Sequence, residues 1–117
     1  MNTMLEYEKY IQQIIDSLRQ LDPYKIILFG SLATGDLHED SDIDLLVVLN
    51  SDKISQNYEE KMSKKMLVRN AIWNISSQIP IDLLVYTRKE YEIIMTNKNS
   101  FFREIDSSGK ILYEKAS

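Results

Sequence analysis

Residues 26–49 read Ile-Ile-Leu-Phe-Gly-Ser-Leu-Ala-Thr-Gly-Asp-Leu-His-Glu-Asp-Ser-Asp-Ile-Asp-Leu-Leu-Val-Val-Leu. The segment holds two short apolar runs, 26–29 and 43–49, and the second is interrupted only by Asp44. Continuous apolar runs of this length are typical of strands that are buried on both faces. Between them, residues 30–42 are polar and loop-like, and a short helix is expected to begin at Ser31. The stretch therefore predicts a strand, a polar loop with a helical turn, and a second strand.

Outside this stretch, the spacing of apolar residues and the breaker residues predict the remaining elements. In chain order they are a helix over 5–21, a helix over 55–78, a strand over 81–86, a helix from Thr87 to about Met95 with a Thr87–Glu90 capping box, a helix over 101–106 capped by Asn99 or Ser100, and a strand over 111–113. Alternation of helices and strands in this way predicts an α/β fold with helices packed on a small sheet.

Length and composition predict the number of domains and exclude several classes of protein. The chain has 117 residues and no visible linker or repeat, which predicts one domain over 1–117. The lack of cysteine excludes disulfides, thiolate catalysis, zinc fingers and cysteine-ligated iron–sulfur clusters. A net charge of −4 disfavours direct binding to nucleic acid. No targeting segment is visible, and the longest apolar run, 45–49, is far short of the ~20 residues of a membrane helix. We therefore expect a soluble, cytoplasmic protein without a membrane partner.

Acidic residues are concentrated just before the second strand. Five acids fall within 36–44, and Asp42 and Asp44 are two residues apart at the entry to the strand. Side chains at this spacing on a strand project from the same face, with Cα atoms ~6.5 Å apart. Two such carboxylates repel each other unless a cation lies between them, and hard oxygen ligands suit magnesium. The pair is therefore a candidate metal site.

Two further features could complete that site. Asp82 is a third carboxylate at the start of an apolar strand, and it would converge with Asp42 and Asp44 if the two strands were neighbours. Two-metal phosphoryl-transfer sites need carboxylates of this kind. Gly30-Ser31 follows a buried strand and opens the expected short helix, where backbone N–H groups and a hydroxyl can bind phosphate.

Ordinary structural roles remain open for the same residues. Asp42 and Asp44 could be solvated loop acids or caps. Asp82 could be an edge-strand acid paired with a Lys or Arg, and Ser31 could be an N-cap, a role compatible with phosphate binding. His38, the one histidine, is expected to be solvated, although a substrate contact is conceivable. Met62, Met66 and Trp73 are expected in the core or at a partner interface.

Taken together, these residues resemble a known signature. Gly-Ser, ten residues and Asp-x-Asp is the pattern of the DNA polymerase beta-like nucleotidyltransferase superfamily, and Gly30-Ser31 and Asp42-Ile43-Asp44 match it without a gap. The short length makes the chain most similar to the minimal nucleotidyltransferases, in which a third strand carries the last acid, as Asp82 does here. The resemblance implies a small mixed β-sheet flanked by helices.

The resemblance also implies an activity. Members of the superfamily transfer a nucleoside monophosphate from an NTP to a hydroxyl. Many minimal members are antitoxins paired with HEPN-domain toxins, and some adenylylate a toxin tyrosine. By that resemblance, Asp42 and Asp44 would hold two Mg²⁺ ions, and Asp82 would bind the catalytic metal and help deprotonate the hydroxyl. Gly30 and Ser31 would bind the triphosphate of ATP.

One departure from the pattern keeps alternatives open. Many relatives have arginines at the positions of Leu32 and Thr34, where this chain has no cation. Nucleotide affinity could then be low, or the cation could come from another residue or a partner. The leading hypothesis is transfer of AMP to a tyrosine of a HEPN toxin. The alternatives are a non-catalytic antitoxin that neutralises its partner by binding, and adenylyl transfer to a small molecule such as an aminoglycoside.

Overall fold

The computed structural model describes residues 4–35, 42–97 and 99–116. Its elements follow the predicted order. They are α1 (Met4–Leu18, continued by a 3₁₀ turn over Arg19–Leu21), β1 (Pro23–Phe29), α2 (Ser31–Thr34), β2 (Ile43–Leu49), α3 (Tyr58–Ala71), α4 (Trp73–Ser76), β3 (Ile81–Thr87), α5 (Arg88–Thr96), α6 (Ser100–Ser108) and β4 (Lys110–Glu114). Every strand expected from the sequence is present, and each extends beyond its predicted range except β2, which keeps its predicted bounds.

The four strands form one mixed sheet in the order β3-β2-β1-β4. Strands β2 and β3 are parallel, whereas β1 is antiparallel to both of its neighbours. The parallel pair needs a long crossover, and α3 and α4 supply it. The expected small mixed sheet flanked by helices is confirmed.

Both faces of the sheet are covered by helices. One face carries Leu28, Leu45 and Val47, which pack against buried residues of α1, α3 and α4 such as Ile14 and Val68. The other carries Ile27, Phe29, Leu46 and Val48, which pack against Ile105 of α6 and the partly buried Tyr91 and Phe102. Because alternate side chains of a strand point to opposite faces, this double burial explains the continuous apolar runs in the sequence.

The expectation of one long helix over 55–78 was wrong. Asn57 has an extended backbone and accepts a hydrogen bond from the Glu60 N–H, so α3 begins only at Tyr58. Helix α3 ends at Ala71, and the next residue, Ile72, has φ −116° before α4 starts. Although the helix breaks at Ile72, the side chain of this residue is buried in the core.

The predicted helix starts after β3 are confirmed. The Thr87 hydroxyl accepts from the Glu90 N–H while the Glu90 carboxylate accepts from the Thr87 N–H, which is a complete capping box for α5. Asn99 caps α6 by accepting from the Phe102 N–H. Among the described helices, none is long and apolar enough to cross a membrane.

Candidate active site

A tight turn follows β1 and opens the site. Gly30 has φ +76° and ψ −155°, a region of backbone conformation that is essentially restricted to glycine. Its carbonyl accepts from the Ala33 and Thr34 N–H groups at 3.2 and 3.3 Å, which closes the single helical turn α2 that begins at Ser31. The short helix expected at Ser31 is therefore present, but one turn gives only a small dipole, so any anion contact depends on individual N–H groups.

Two of the predicted carboxylates are brought together by strand pairing. In the parallel register of β2 and β3, Asp44 lies directly opposite Asp82. On the other side of β2, Asp44 is opposite Phe29, the last residue of β1. All three residues share the face that carries Leu46 and Leu84 farther along the strands, by the alternation of side chains. The register thus forms a row of Phe29, Asp44 and Asp82 across three strands.

The Gly30 turn is in direct contact with this row. A Cβ atom built on Gly30 would overlap the Asp44 Oδ2 atom. The backbone and the carboxylate can approach this closely only because residue 30 has no side chain.

The third predicted carboxylate, Asp42, lies immediately before β2 and is exposed. Its influence on the pair is electrostatic. Burial raises the pKa of Asp44, and the negative charges of Asp82 and Asp42 raise it further. The charges of the other two acids that the sequence singled out therefore both act on Asp44 in the fold.

A cavity of about 460 Å³ joins the turn, the carboxylates and α6. Its lining residues are Phe29, Gly30, Ser31, Thr34, Asp44, Asp82, Phe101, Glu104, Ile105 and Ser108. Four of the five predicted site residues are among them, whereas Asp42 is not. A larger cavity of about 660 Å³ lies between the β2–α3 loop and α3, and it contains none of the predicted residues.

Sequence reasoning missed the contribution of α6. Phe101, Glu104 and Ser108 line the cavity, and they follow one another at intervals of three and four residues along the helix. That spacing places them on one helical face together with Ile105, which is buried against the sheet. The pattern was visible in the sequence, but nothing in it indicated which site this face would meet.

The charge and the donor atoms of the acids determine whether they fit a divalent cation. In the described part of the chain, no three acidic or histidine side chains form a closed metal-ligand cluster. Asp44 and Asp82 nevertheless offer adjacent carboxylate oxygens, and the pKa of Asp44 is raised by burial and by both neighbouring negative charges. Hard oxygen donors with unbalanced negative charge fit Mg²⁺. A bound cation would turn this repulsion into attraction.

One ordinary alternative was that Asp82 is an edge-strand acid paired with a Lys or Arg, and the described residues do not support it. Within 4–35, 42–97 and 99–116, no Lys or Arg forms an ion pair with Asp82, although β3 is an edge strand. The possible substrate contact of His38 lies outside the described residues.

The two positions at which the resemblance leads one to expect arginine differ in their surroundings. Leu32 is only 7% exposed and belongs to the core beneath the sheet, so it does not face a ligand. Thr34 lines the cavity, and its hydroxyl donates to the Ser31 carbonyl at 3.2 Å. Of the two positions, only Thr34 lines the cavity, and none of the described lining residues is a Lys or Arg.

Comparison with known proteins identifies the family. The sequence model of the nucleotidyltransferase domain matches residues 11–101. The chain belongs to this family. The expectation of a nucleotidyltransferase enzyme is thereby confirmed, and the matched range contains the Gly30 turn, both paired carboxylates and the start of α6.

Curated relatives of this nucleotidyltransferase come from Methanocaldococcus jannaschii. One is 31% identical over 104 residues, which is 89% of this chain and 89% of the relative. Another is 33% identical over 113 residues, 91% of this chain and 97% of the relative. Both carry the name "Putative protein adenylyltransferase". Their lengths are matched almost completely.

Solved structures confirm the nucleotidyltransferase fold. A "putative nucleotidyltransferase" from Sulfolobus solfataricus superposes with a TM-score of 0.60 at 18% identity, covering 96% of this chain and 84% of that one. A toxin–antitoxin structure with AMP-PNP gives a TM-score of 0.53 at 21% identity, covering 90% and 73%. At these identities the likeness concerns the fold.

Proposed function

We propose that this nucleotidyltransferase is a magnesium-dependent protein adenylyltransferase that moves AMP from ATP onto a tyrosine of a HEPN-type toxin in the cytoplasm. A single domain over 1–117 would carry the whole activity. The observation on which the proposal rests is the placement of Asp44 opposite Asp82, beside the Gly30–Ser31 turn and in one cavity. The names of the two archaeal relatives support protein as the acceptor.

Each predicted residue has a role in the proposal. Asp42, Asp44 and Asp82 would hold two Mg²⁺ ions, which neutralise phosphate charge and orient the triphosphate when bound. Gly30 and Ser31 bind phosphate oxygens through backbone N–H groups and a hydroxyl. Since phosphoryl-type transfer offers little covalent work to the protein, these residues act by positioning and by charge.

The transfer itself is a single displacement at phosphorus. The acceptor oxygen forms a bond to the α-phosphorus of ATP. The bond from that phosphorus to the oxygen bridging the α- and β-phosphates breaks, and pyrophosphate leaves with the electron pair. Asp82, at the edge of the carboxylate row, accepts the proton of the hydroxyl. The products are an adenylylated tyrosine and pyrophosphate.

A protein acceptor requires a surface on which a partner can dock. Trp73 is 62% exposed and Leu67 is 51% exposed, although such large apolar side chains are usually buried. Met66 is also exposed on α3. Apolar side chains left in solvent support the expected partner interface, and a toxin partner is consistent with the toxin–antitoxin complexes among the structures of this fold.

The test is transfer of labelled AMP. The purified chain, labelled ATP, magnesium and the cognate toxin should yield a labelled toxin, and the label should map to a tyrosine. Asp42→Asn and Asp82→Asn should each lower transfer by at least a hundredfold. Asp52→Asn is the matched control, because Asp52 is an exposed acid beyond the opposite end of β2. Undiminished transfer by Asp82→Asn would overturn the mechanism.

A second candidate function is neutralisation of the toxin by binding alone. The lack of a Lys or Arg among the described cavity-lining residues favours it, since an uncompensated triphosphate binds weakly. An Asp42→Asn/Asp44→Asn double variant distinguishes the two functions. If it protects cells from the toxin as well as the wild type does, binding to the toxin and not transfer of AMP explains the antitoxin activity.

A further inference from the structure

Helix α6 forms a wall of the cavity that the proposed chemistry does not use. Phe101, Glu104 and Ser108 stand on its cavity-facing side, whereas the metal-binding and phosphate-binding roles fall on β2, β3 and the Gly30 turn. The cavity of about 460 Å³ lies within the usual size range of small-molecule sites. The cavity therefore has room for a part of the ligand other than the triphosphate, and that part would contact α6.

The position of Phe101 is fixed by two other aromatic rings. Its ring meets Phe29 at 5.9 Å with an interplanar angle of 89°, and it meets Phe102 at 5.2 Å and 79°. Both contacts are edge-to-face, so neither neighbour stacks parallel to the Phe101 ring. The residue remains 45% exposed. An aromatic ring held in place with much of its surface open can form a stacking platform.

The platform is adjacent to the carboxylate row. Phe29, which holds Phe101, is the residue paired with Asp44 across β1 and β2. A ligand bound at the Gly30 turn with its charged end at Asp44 and Asp82 thus has a flat apolar surface beside it. A nucleoside triphosphate has this combination of a charged chain and a flat base.

Glu104 supplies a hydrogen-bond acceptor on the same wall. It is three residues from Phe101 on the same helical face, where Cβ atoms lie about 5–6 Å apart. An ionised carboxylate accepts hydrogen bonds and donates none. At that separation it can reach the edge of a base stacked on Phe101, and it would favour an edge that bears an amino group.

We propose that Phe101 and Glu104 form the nucleoside subsite of this enzyme, with Phe101 stacking on the base and Glu104 accepting from its exocyclic amino group. The inference rests on the proposed function, because it takes the ligand to be a nucleoside triphosphate. It adds a source of base selectivity: ATP is preferred to ITP, whose base has a carbonyl oxygen in place of the amine.

Calorimetric titration of the full chain with magnesium tests the inference. The ligands are ATP, ITP and inorganic tripolyphosphate, which lacks a nucleoside. Wild type should bind ATP more tightly than tripolyphosphate. Phe101→Leu, which keeps apolar volume without an aromatic face, should weaken ATP binding about tenfold and leave tripolyphosphate binding unchanged. Phe101→Trp should retain ATP binding. Glu104→Gln should reduce the preference for ATP over ITP.

The control variant is Arg103→Ala, since Arg103 is exposed on α6 and does not line the cavity. It should bind all three ligands as wild type does. If Phe101→Leu binds ATP as tightly as wild type, the stacking role is overturned and the proposed function stands. If Glu104→Gln keeps the full preference for ATP, the role of Glu104 is overturned. If wild type binds neither ATP nor tripolyphosphate, the proposed function fails as well.

Discussion

Gly30 lies against the carboxylate of Asp44, so closely that any side chain at position 30 would displace it. This contact joins two parts of the candidate site that are 14 positions apart in the sequence, the Gly30 turn, for which we propose phosphate binding, and the carboxylate row. A change at either residue should therefore affect both.

The first prediction concerns Gly30→Ala. The new Cβ must push the Asp44 carboxylate away, and the backbone at φ +76° is strained for any residue with a side chain. We expect ATP binding to fall at least tenfold, with a stability loss of about 3 kcal/mol, measured by calorimetry and by denaturant unfolding.

Gly35→Ala is the matched control for that change. Gly35 has φ +79°, but a Cβ there would meet no atom within 4 Å. Its backbone is in the left-handed helical region, so it should lose about 1–2 kcal/mol of stability, less than Gly30→Ala, and keep its ATP affinity. Equal loss of ATP binding in both variants would show that strain, and not the contact with Asp44, is responsible.

The second prediction concerns metal binding. Asp44 and Asp82 are adjacent across β2 and β3, so without a cation their charges oppose folding. Asp82→Asn should leave stability unchanged or raise it by about 0.5 kcal/mol when chelator is present. Millimolar magnesium should raise the melting temperature of wild type, because a ligand that binds the folded state stabilises it, and should raise that of Asp82→Asn much less. Asp52→Asn should respond to magnesium as wild type does; a full response by Asp82→Asn contradicts the assignment.

The third prediction concerns pH. Burial opposes the charged form of Glu90, but hydrogen bonds from the Thr87 and Ser55 N–H groups outweigh it and lower the pKa of this carboxyl. A lowered folded-state pKa means that the stabilisation is present above the unfolded pKa and is lost as pH falls through the folded pKa. Glu90→Gln should therefore be about 1–2 kcal/mol less stable than wild type at pH 7, and this difference should shrink as pH falls from about 4.3, the pKa of an unperturbed Glu, through the lowered folded-state pKa.

Glu92→Gln serves as the comparison for Glu90. Glu92 is on the same helix and is exposed. Its Oε2 atom lies 3.9 Å from Lys89 Nζ, and exposed ion pairs of this kind contribute little to the free energy of unfolding. Its unfolding free energy should stay within about 0.5 kcal/mol of wild type at every pH. A constant gap between wild type and Glu90→Gln from pH 7 to pH 3 would show that the charge of Glu90 is not the stabilising factor.

The fourth prediction separates Leu32 from Thr34, the two positions at which the resemblance leads one to expect arginine. Thr34 lines the cavity, so Thr34→Arg would place a cation beside the proposed phosphate site and should tighten ATP binding about tenfold. Leu32 is buried in the core, so Leu32→Arg should destabilise the fold by about 3 kcal/mol or more without improving affinity. Titration and unfolding of both variants provide the measurement, and weaker ATP binding by Thr34→Arg would contradict it.

Local signals in the sequence accounted for most of the elements. The Thr87–Glu90 capping box, the Asn99 cap and the apolar runs 26–29 and 43–49 all depend on neighbours within a few residues, and all are present in the fold. The prediction of one long helix was wrong because the backbone leaves the helical conformation at Ile72, a residue that is buried in the core. The apolar spacing indicated that burial but not the break.

The chain's sequence by itself determined the order of helices and strands, the glycine turn after β1 and the acids that mark a nucleotidyltransferase. Only the tertiary structure decided that β2 and β3 are neighbours in a register that sets Asp44 opposite Asp82, and that α6 brings Phe101 and Glu104 to the same cavity. The physical reason is that strands buried on both faces look alike in sequence. Which strands pair, and in which register, depends on contacts between residues far apart in the chain.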